Sequence, residues 1–536
     1  MSATTDLYRS YLDLRWHFDP AAATGQGVTS EDSRLADYSV ERMREHLVAF
    51  KAMAVAVEQL EVEDPQEEID RTAFLDEVRV TISRFEQERP HIHDPSFWLG
   101  HLYGAFQALL RRRNGATQDR ARALLGRLRA TPAFLRAAQE TLKEPPRIFL
   151  DTAGMLADTG PRLFAEVAAT IRDADPDLAG PAEDALSAAE GAITRFALAL
   201  RSELRAHHDD LSFAIGEDQF NRRLHHEHAL RPGAPELYRY GLRLAEEVGA
   251  EVQALARQID PRVPWPTLVE RLRLQSTVGP DVVGAFRDMT ERARQFLLAR
   301  DLVTLPPQPL EVVETPPFLR PLMPFAAYSP PAAFGDYRTG TFYVTSPEPG
   351  QRATPGACSL HEIGSTVVHE AWPGHHLQMS VARNSVSEVR RVSWTPITVE
   401  GWALYCEELM AEQGFFASVE ERLFQRLHLL WRAIRIVLDV GLHTRGMTPD
   451  QAVDLLVDRV AMDRAKAQAE VSRYCAWPTY QLSYAVGRRE FLHLRDAWRA
   501  SAGPAASLRE FHDTVLAYGG LPVSLIRWGM GLGIDE

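Results

Sequence analysis

The stretch VVHEAWPGHHLQ, from Val367 to Gln378, contains residue types that could bind a metal ion. It begins with His369 and Glu370, the adjacent pair that opens the zinc-binding helix of many metallopeptidases. In that helix a second histidine follows four residues later, because four residues bring two imidazoles to one face. Here that position is occupied by Pro373, so the pattern predicts a metal site with an altered spacing.

The next histidines, His375 and His376, lie six and seven residues after His369. On a straight helix neither would reach the same ion, because six residues rotate to the far side and seven lie roughly 10 Å along the axis. Pro373 has no N–H for the carbonyl of His369, so the helix must kink, bulge or restart there. Gly374 gives the backbone freedom to absorb the extra residues. We therefore predict His375 as the second ligand, with His376 as the alternative.

A catalytic zinc site also needs a third protein ligand and an open position for water. The best downstream candidate is Glu400, in EGWALYCEE. Glu407 or Glu408, two helical turns further on, could instead orient an imidazole. Glu370 is predicted to be the general base that takes a proton from the metal-bound water. We expect one zinc ion, although such ligands tolerate manganese, iron or cobalt.

Two other histidine-rich stretches lack this spacing. LHHEHAL, which contains His225, His226 and His228, lies among arginines, and a histidine pair at positions 207 and 208 precedes two aspartates. Both are interpreted as solvated faces.

Composition and charge limit the class of protein. The chain has 536 residues, 45% of them apolar and 25% charged, which is usual for a globular protein. Asp and Glu outnumber Lys and Arg by 73 to 59, and no basic tract is long enough to follow a phosphate backbone. We therefore expect no nucleic-acid partner.

The sequence also bears on location and on redox chemistry. The beginning, MSATTDLYRSYLDLRW, lacks the features of a signal peptide, and no run of about 18 apolar residues occurs. We expect a cytoplasmic protein without a membrane partner. The cysteines are odd in number and far apart, so we expect buried thiols at Cys358, Cys406 and Cys475.

Apolar periodicity divides the chain into three regions, which could also form one continuous domain. Residues 1–301 show a helical period, clearest at 39–57, 98–112, 161–173, 182–206, 236–258 and 281–300. Residues 302–356 are rich in proline, which excludes a long helix, and RTGTFYVTSP there predicts a strand from Gly340 to Thr345. Helical periodicity then lasts through residues 357–536. An exposed edge of the strand could bind an extended peptide; the alternative is a strand inside a small sheet.

Taken together, VVHEAWPGHHLQ and EGWALYCEE resemble the bacterial family called domain of unknown function 885, whose pattern is similar to HExxPGHHLQ followed by EGWALYxE. The resemblance covers nearly the whole chain, through LVTLPPQPLEVVETPPFLRP, RTGTFYVTSP, PTYQLSYAVGRREF and FHDTVLAYGGLPVSLIRW. The first motif is specific, and the others are individually weak.

The resemblance implies a mostly helical relative of the gluzincins, zinc peptidases in which two histidines and a downstream glutamate bind the metal. His369 and Glu370 match the first ligand and the base, and Glu400 matches the ligand glutamate before Gly401. The inserted Pro-Gly departs from the gluzincin pattern and leaves the second histidine open.

By the same resemblance, PTYQLSYAVGRRE contributes a tyrosine and a polar group to the active-site wall. A phenol or a guanidinium can stabilise the negative charge on an attacked carbonyl. Tyr484 is the first candidate, and Gln481 and Arg488 follow it.

These observations predict a mainly α, metallopeptidase-like fold with a small β-sheet beside the active-site helix and a cleft between two helical halves. The expected activity is zinc-dependent hydrolysis of short peptides or small amides. Its catalytic residues would be Glu370, Tyr484 and Arg488, its ligands His369, His375 and Glu400, and its substrate-binding residues Gly340, Thr341, Tyr343, His376 and Gln481. The alternatives are a zinc hydrolase or lyase acting on a non-peptide molecule, and a metal-free helical binding protein.

Overall fold

Helices dominate the described part of the chain, as predicted. The computed structural model describes residues 3–112, 115–276, 278, 281–317, 319–320, 323, 325–346, 359–503 and 506–533. Cys406 and Cys475 are buried free thiols, which confirms that expectation, whereas Cys358 lies outside the described residues. None of the helices in these ranges is long and apolar enough to cross a membrane.

The residues form two compact units. The first consists of Met1–Phe213 and Ala332–Tyr337, and the second of Ala214–Pro331 and Arg338–Glu536. Residues 214–301, which the apolar period joins to the N-terminal helical region, lie in the unit that contains VVHEAWPGHHLQ.

The first unit is built from helices around an aromatic core. Three of the helices begin with an aspartate whose side chain accepts a backbone N–H, followed by proline at the first helical position. Among the side chains removed from solvent are Tyr8, Tyr11, Phe74, Phe106 and Phe164. Its helices are α1 Ala3–Phe18, α2 Pro20–Gly25, α3 Val40–Glu58, α4 Pro65–Ser83, α5 Pro90–His93, α6 Pro95–Arg111, α7 Thr117–Thr141, α8 Arg147–Ala174 and α9 Ala179–Ser202, with a π-helix at Arg84–Glu88 and a 3-10 turn at Pro176–Leu178.

The second unit contains the remaining helices and the sheet. Its helices are α10 Gly216–His226, α11 Ala234–Ile259, α12 Trp265–Gln275, α13 Val282–Arg300, α14 Leu360–Glu370, α15 His375–Ala382, α16 Glu388–Val392, α17 Pro396–Glu412, α18 Val419–Thr444, α19 Pro449–Val460, α20 Arg464–Ala476, α21 Ser483–Ala502, α22 Leu508–Leu516 and α23 Val523–Gly529. Nearly every residue of α17 is buried, as expected of a helix packed on all sides.

The described strands form one three-stranded sheet. They are β1 Leu310–Glu314, β2 Ala326–Ser329 and β3 Gly340–Val344, in the order β1-β3-β2. β3 is parallel to β1 and antiparallel to β2. The strand predicted from RTGTFYVTSP is confirmed, but the hypothesis that it has an exposed edge is wrong. Both edges of β3 are paired, so Gly340, Thr341 and Tyr343 have no free edge to which a peptide could add.

The interpretation of LHHEHAL as a solvated face is also partly wrong. His225 is exposed at the end of α10, but His228, in the turn that follows, is 1% exposed. Arginine neighbours in sequence did not reveal that this turn is buried.

Candidate metal centre

The chain breaks its helix at the predicted point. α14 ends at Glu370 and α15 begins at His375, so the four residues 371–374 form the break between the two helices. The turn is held from α17, because Trp402 donates its indole N–H to the carbonyl of Pro373 at 2.9 Å. Gly374 is required there, since a Cβ would overlap the backbone carbonyl of His369. The predicted restart of the helix is therefore confirmed.

This turn brings two histidines to one carboxylate oxygen. Oε2 of Glu400 lies 3.4 Å from Nε2 of His369 and 3.5 Å from Nε2 of His375. The three side chains are buried, at 6%, 7% and 6% exposure for His369, His375 and Glu400. His376, in contrast, turns away and meets Tyr328, whose hydroxyl lies 3.0 Å from its Nδ1.

The two distances from Oε2 of Glu400 suit a tetrahedral zinc ion. Ligand atoms about 2.1 Å from such an ion lie about 3.4 Å from one another. Neither contact has hydrogen-bond geometry, so Oε2 of Glu400 is buried without a hydrogen-bond partner among the described residues. A buried carboxylate oxygen without a partner is costly unless a cation supplies one. The residues present therefore fit the ion.

Glu370 is a second carboxylate close to both histidines. Ligand atoms of His369, Glu370 and His375 all lie within 4.8 Å of one another. Glu370 is less buried than Glu400, and its Oε2 accepts the backbone N–H of Tyr328 at 3.0 Å. Glu400 is better suited as the third ligand, because its free oxygen lies between the two imidazoles. Glu370 would then lie beside a bound ion, where its carboxylate could transfer a proton.

A further carboxylate orients His369 from behind. Nδ1 of His369 lies 2.9 Å from Oε1 of Glu407, and the hydroxyl of Ser365 donates to the other oxygen of Glu407 at 2.8 Å. Glu408 points elsewhere and pairs with Arg426 and Arg488. Of the two candidates for this role, the structure places Glu407 on the imidazole.

Charges around the site are strongly coupled. Burial raises the pKa of Glu400, but the adjacent imidazoles of His369 and His375 outweigh it and hold that pKa well below its ordinary value. Burial also raises the pKa of Glu407, and the contact with His369 outweighs it in the same way. Both groups are therefore carboxylates at neutral pH, the form that binds a metal ion or an imidazolium N–H.

Two tyrosines line the site. The hydroxyl of Tyr480 donates to Oε1 of Glu400 at 2.6 Å. The ring of Tyr484 stacks on His369, with 6.2 Å between ring centres. Burial, and then the charge of Glu400, raise the pKa of both phenols, so both keep their proton at neutral pH.

A pair of glycines allows α21, which carries Tyr484, to pack closely against α17, which carries Glu400. α17 and α21 pack so tightly that a Cβ on Gly401 would lie 2.6 Å from the Cα of Gly487. α17 carries Glu400 one residue before Gly401, and α21 carries Tyr484 one turn before Gly487. The glycines thus set the distance between the carboxylate and the phenol.

The other predicted site residues lie in different surroundings. Arg488 is paired with Glu408 at 2.7 Å. Gln481 is buried, and neither atom of its side-chain amide has a hydrogen-bond partner in the described part of the chain. Gly340 lies under the contact between Tyr328 and His376, where a Cβ would come within 2.5 Å of the tyrosine oxygen. Thr341 and Tyr343 are buried in β3.

Tyr480 and Tyr328 are not among the predicted site residues. Tyr480 lies in the turn before α21, and the signal available for it was its place four residues before Tyr484 in PTYQLSYAVGRRE. Tyr328 follows prolines in a short strand without alternation, and no local signal indicated its contact with Glu370.

Two solved structures are similar to this chain. One is described as "a putative lipoprotein of unknown function" from Shewanella oneidensis, with 23% identity, a TM-score of 0.81 and coverage of 99% of this chain and 100% of that one. The other is described as "the putative lipoprotein" from Colwellia psychrerythraea, with 18% identity, a TM-score of 0.83 and coverage of 99% and 98%. At these identities the likeness shows the fold alone, and a cytoplasmic location stays a prediction.

Curated proteins give no match to the chain. The family model described as "Bacterial protein of unknown function (DUF885)" matches residues 20–530. The match covers nearly the whole chain and includes both sequence motifs. The protein therefore belongs to the DUF885 family.

Proposed function

We propose that the protein is a zinc-dependent hydrolase that cleaves short peptides or small amides. The observation that carries the proposal is the position of Oε2 of Glu400, 3.4 Å and 3.5 Å from the Nε2 atoms of His369 and His375. Two histidines and a glutamate are also the ligand set of the gluzincins, so the proposal includes a gluzincin-like relationship and a substrate cleft.

His369, His375 and Glu400 would hold the ion. When bound, zinc lowers the pKa of a water molecule and polarises a carbonyl oxygen. Glu370 takes a proton from the attacking water and later gives it to the leaving nitrogen. Its position supports this role, because the backbone N–H of Tyr328 fixes its carboxylate beside the two histidines.

The two phenols have different roles, one toward the reacting carbonyl and one toward a metal ligand. Tyr484 lies against His369 and donates a hydrogen bond to the oxygen on which negative charge develops. Tyr480 is already bonded to Glu400, so its first role is to fix that ligand. Arg488 is occupied by Glu408, and we assign it no role in the reaction.

An extended substrate would bind along β2 instead of β3. β2 is an outer strand of the sheet, and the backbone N–H of its Tyr328 points to Glu370 and away from β3. An edge strand can bind a peptide through backbone hydrogen bonds. A substrate on this edge would place its amide next to the base.

The first test is metal content by elemental analysis after supply of zinc. Wild type is expected to carry about one zinc ion per chain, and His369→Ala and Glu400→Ala are expected to lose it. Glu408→Gln is the control, because Glu408 is a buried neighbour on the same helix whose ion pairs, in the described part of the chain, are with Arg426 and Arg488. A zinc-free wild type, or full occupancy in both alanine variants, would overturn the proposal.

The second test is hydrolysis of a panel of dipeptides, tripeptides and acyl amino acids. Glu370→Gln should retain zinc and lose activity by about 10² to 10⁴-fold, because only proton transfer is removed. Stoichiometric zinc without amide hydrolysis would leave the non-peptide hydrolase or lyase as the better hypothesis.

A further inference from the structure

A group of cations lies beside the tyrosine that stacks on His369. The guanidinium carbon of Arg435 is 4.8 Å from the ring centre of Tyr484, and that of Arg432 is 6.0 Å from it. Both arginines and Lys466 also contact the ring of Trp431, at 4.1, 5.1 and 5.4 Å. Three positive groups therefore surround one indole next to the candidate metal centre.

Only some of these cations are neutralised. Arg435 pairs with Glu470 at 3.2 Å and donates to the hydroxyl of Tyr474 at 2.9 Å. Glu470 also pairs with Arg473 at 2.6 Å, so this one carboxylate is shared by two arginines.

Arg432 and Lys466 form no ion pair with any carboxylate among the described residues. Arg432 donates from Nη1 to the carbonyl of His428 at 3.3 Å, and its Nε is buried without a hydrogen-bond partner. Burial lowers the pKa of both side chains, and this effect exceeds the opposing charges of Glu407 near Arg432 and Glu470 near Lys466. Arg432 and Lys466 are half-buried, and the solvent-shielded Nε of Arg432 without a partner is a donor that a carboxylate ligand could satisfy.

We propose that Arg432 binds a carboxylate of the substrate, with Lys466 adding positive charge, so that the enzyme prefers peptides or acyl amino acids with a free carboxylate near the cleaved amide. The inference rests on the proposed hydrolase function. A guanidinium suits this role because its planar N–H groups match the two oxygens of a carboxylate. The short path from Arg432 through Tyr484 to His369 places that carboxylate close to the reacting bond, as in removal of a C-terminal residue.

The test compares free acids with their amides on metal-depleted protein, which binds without hydrolysis. A series of dipeptides Ala-Xaa and the corresponding Ala-Xaa amides would be titrated calorimetrically into wild type, Arg432→Gln, Arg432→Lys and Arg422→Gln. Arg422 is an exposed arginine of the same helix and serves as the matched control. Circular dichroism would show that each variant is folded.

Wild type and Arg422→Gln should bind the best free acid at least about tenfold more tightly than its amide, because a charge-assisted pair is lost with the amide. Arg432→Gln should abolish the preference, and Arg432→Lys should keep part of it. Equal binding of acid and amide by wild type, binding of neither, or an unchanged preference in Arg432→Gln would overturn the inference. Zinc content of each preparation, measured before the metal is removed, tests the hydrolase proposal separately, since a carboxylate preference in a protein that never carried zinc would contradict only the hydrolase.

Discussion

Glu407 lies 2.9 Å from Nδ1 of His369, although the two residues are 38 positions apart and belong to α17 and α14. When the imidazole is neutral, a proton on Nδ1 faces this carboxylate, and the lone pair of Nε2 is then directed at the space shared with His375 and Glu400. Ser365 fixes the other oxygen of Glu407, so the imidazole cannot turn freely. The candidate ligand set is thus supported from behind before any ion binds.

Glu407→Gln should weaken zinc binding by about 10 to 100-fold, because the orienting charge behind His369 is lost. The measurement is competition with a chelator of known affinity. Glu408→Gln should bind zinc like wild type, since Glu408 contacts Arg426 and Arg488 instead of an imidazole. Equal affinities for the two variants would show that the contact with Glu407 does not orient a ligand.

His375→Ala and His376→Ala separate the two adjacent histidines. His375→Ala should lose the metal, because its Nε2 lies 3.5 Å from the oxygen of Glu400. His376→Ala should retain about one zinc ion per chain and should instead lose about 2 to 4 kcal/mol of stability, because a buried side chain bonded to Tyr328 is removed. Elemental analysis and urea unfolding measure the two effects. Loss of zinc in His376→Ala alone would reverse the assignment.

The break between α14 and α15 could be predicted from the sequence, because it follows from the covalent structure of Pro373 and Gly374. The choice between His375 and His376 could not, because adjacent residues at a helix start point about 100° apart and the direction depends on how the turn packs. Trp402, which holds this turn, comes from α17.

Dependence on packing between distant segments also explains why neither the role of Glu407 nor the neighbours of β3 could be predicted. Glu407 and Glu408 are equally acidic in sequence, and only the packing of α17 determines which of them contacts α14. β3 was recognised by its Thr, Tyr, Phe and Val content, but β1 and β2, which cover its edges, are short and lie among prolines. Local pattern identifies a strand, whereas its neighbours depend on residues distant in the chain.

Tyr484→Phe should lower kcat by about 10² to 10³-fold without loss of zinc, because a donor to the developing oxyanion is removed. Tyr480→Phe should lower zinc affinity as well, since the hydroxyl of Tyr480 donates to Glu400 at 2.6 Å. Steady-state kinetics on the best peptide and metal competition distinguish the two variants. If Tyr484→Phe is fully active, the phenol against His369 serves only packing.

Buried neutral histidines should make the fold sensitive to acid. Burial lowers the pKa of His228, His443 and His512 to about 4, and each is 1% exposed. The unfolded chain takes up these protons near pH 6.5 and the folded chain only near pH 4, so the free energy of unfolding should fall as pH drops through this window. Each such histidine contributes a slope of up to about 1.4 kcal/mol per pH unit.

The variant His443→Gln isolates one of these contributions. Nε2 of His443 lies 3.0 Å from the carbonyl of Tyr474, and a glutamine amide can replace that donor without taking up a proton. Urea unfolding at pH 7, 6 and 5 gives the free energy of unfolding as a function of pH. Its slope should be smaller in His443→Gln than in wild type by up to about 1.4 kcal/mol per pH unit, the contribution of one proton. The exposed His225→Gln serves as the control and should keep the wild-type slope. If His443→Gln also keeps it, the imidazole is not held neutral in the folded protein, and the acid sensitivity must come from other groups.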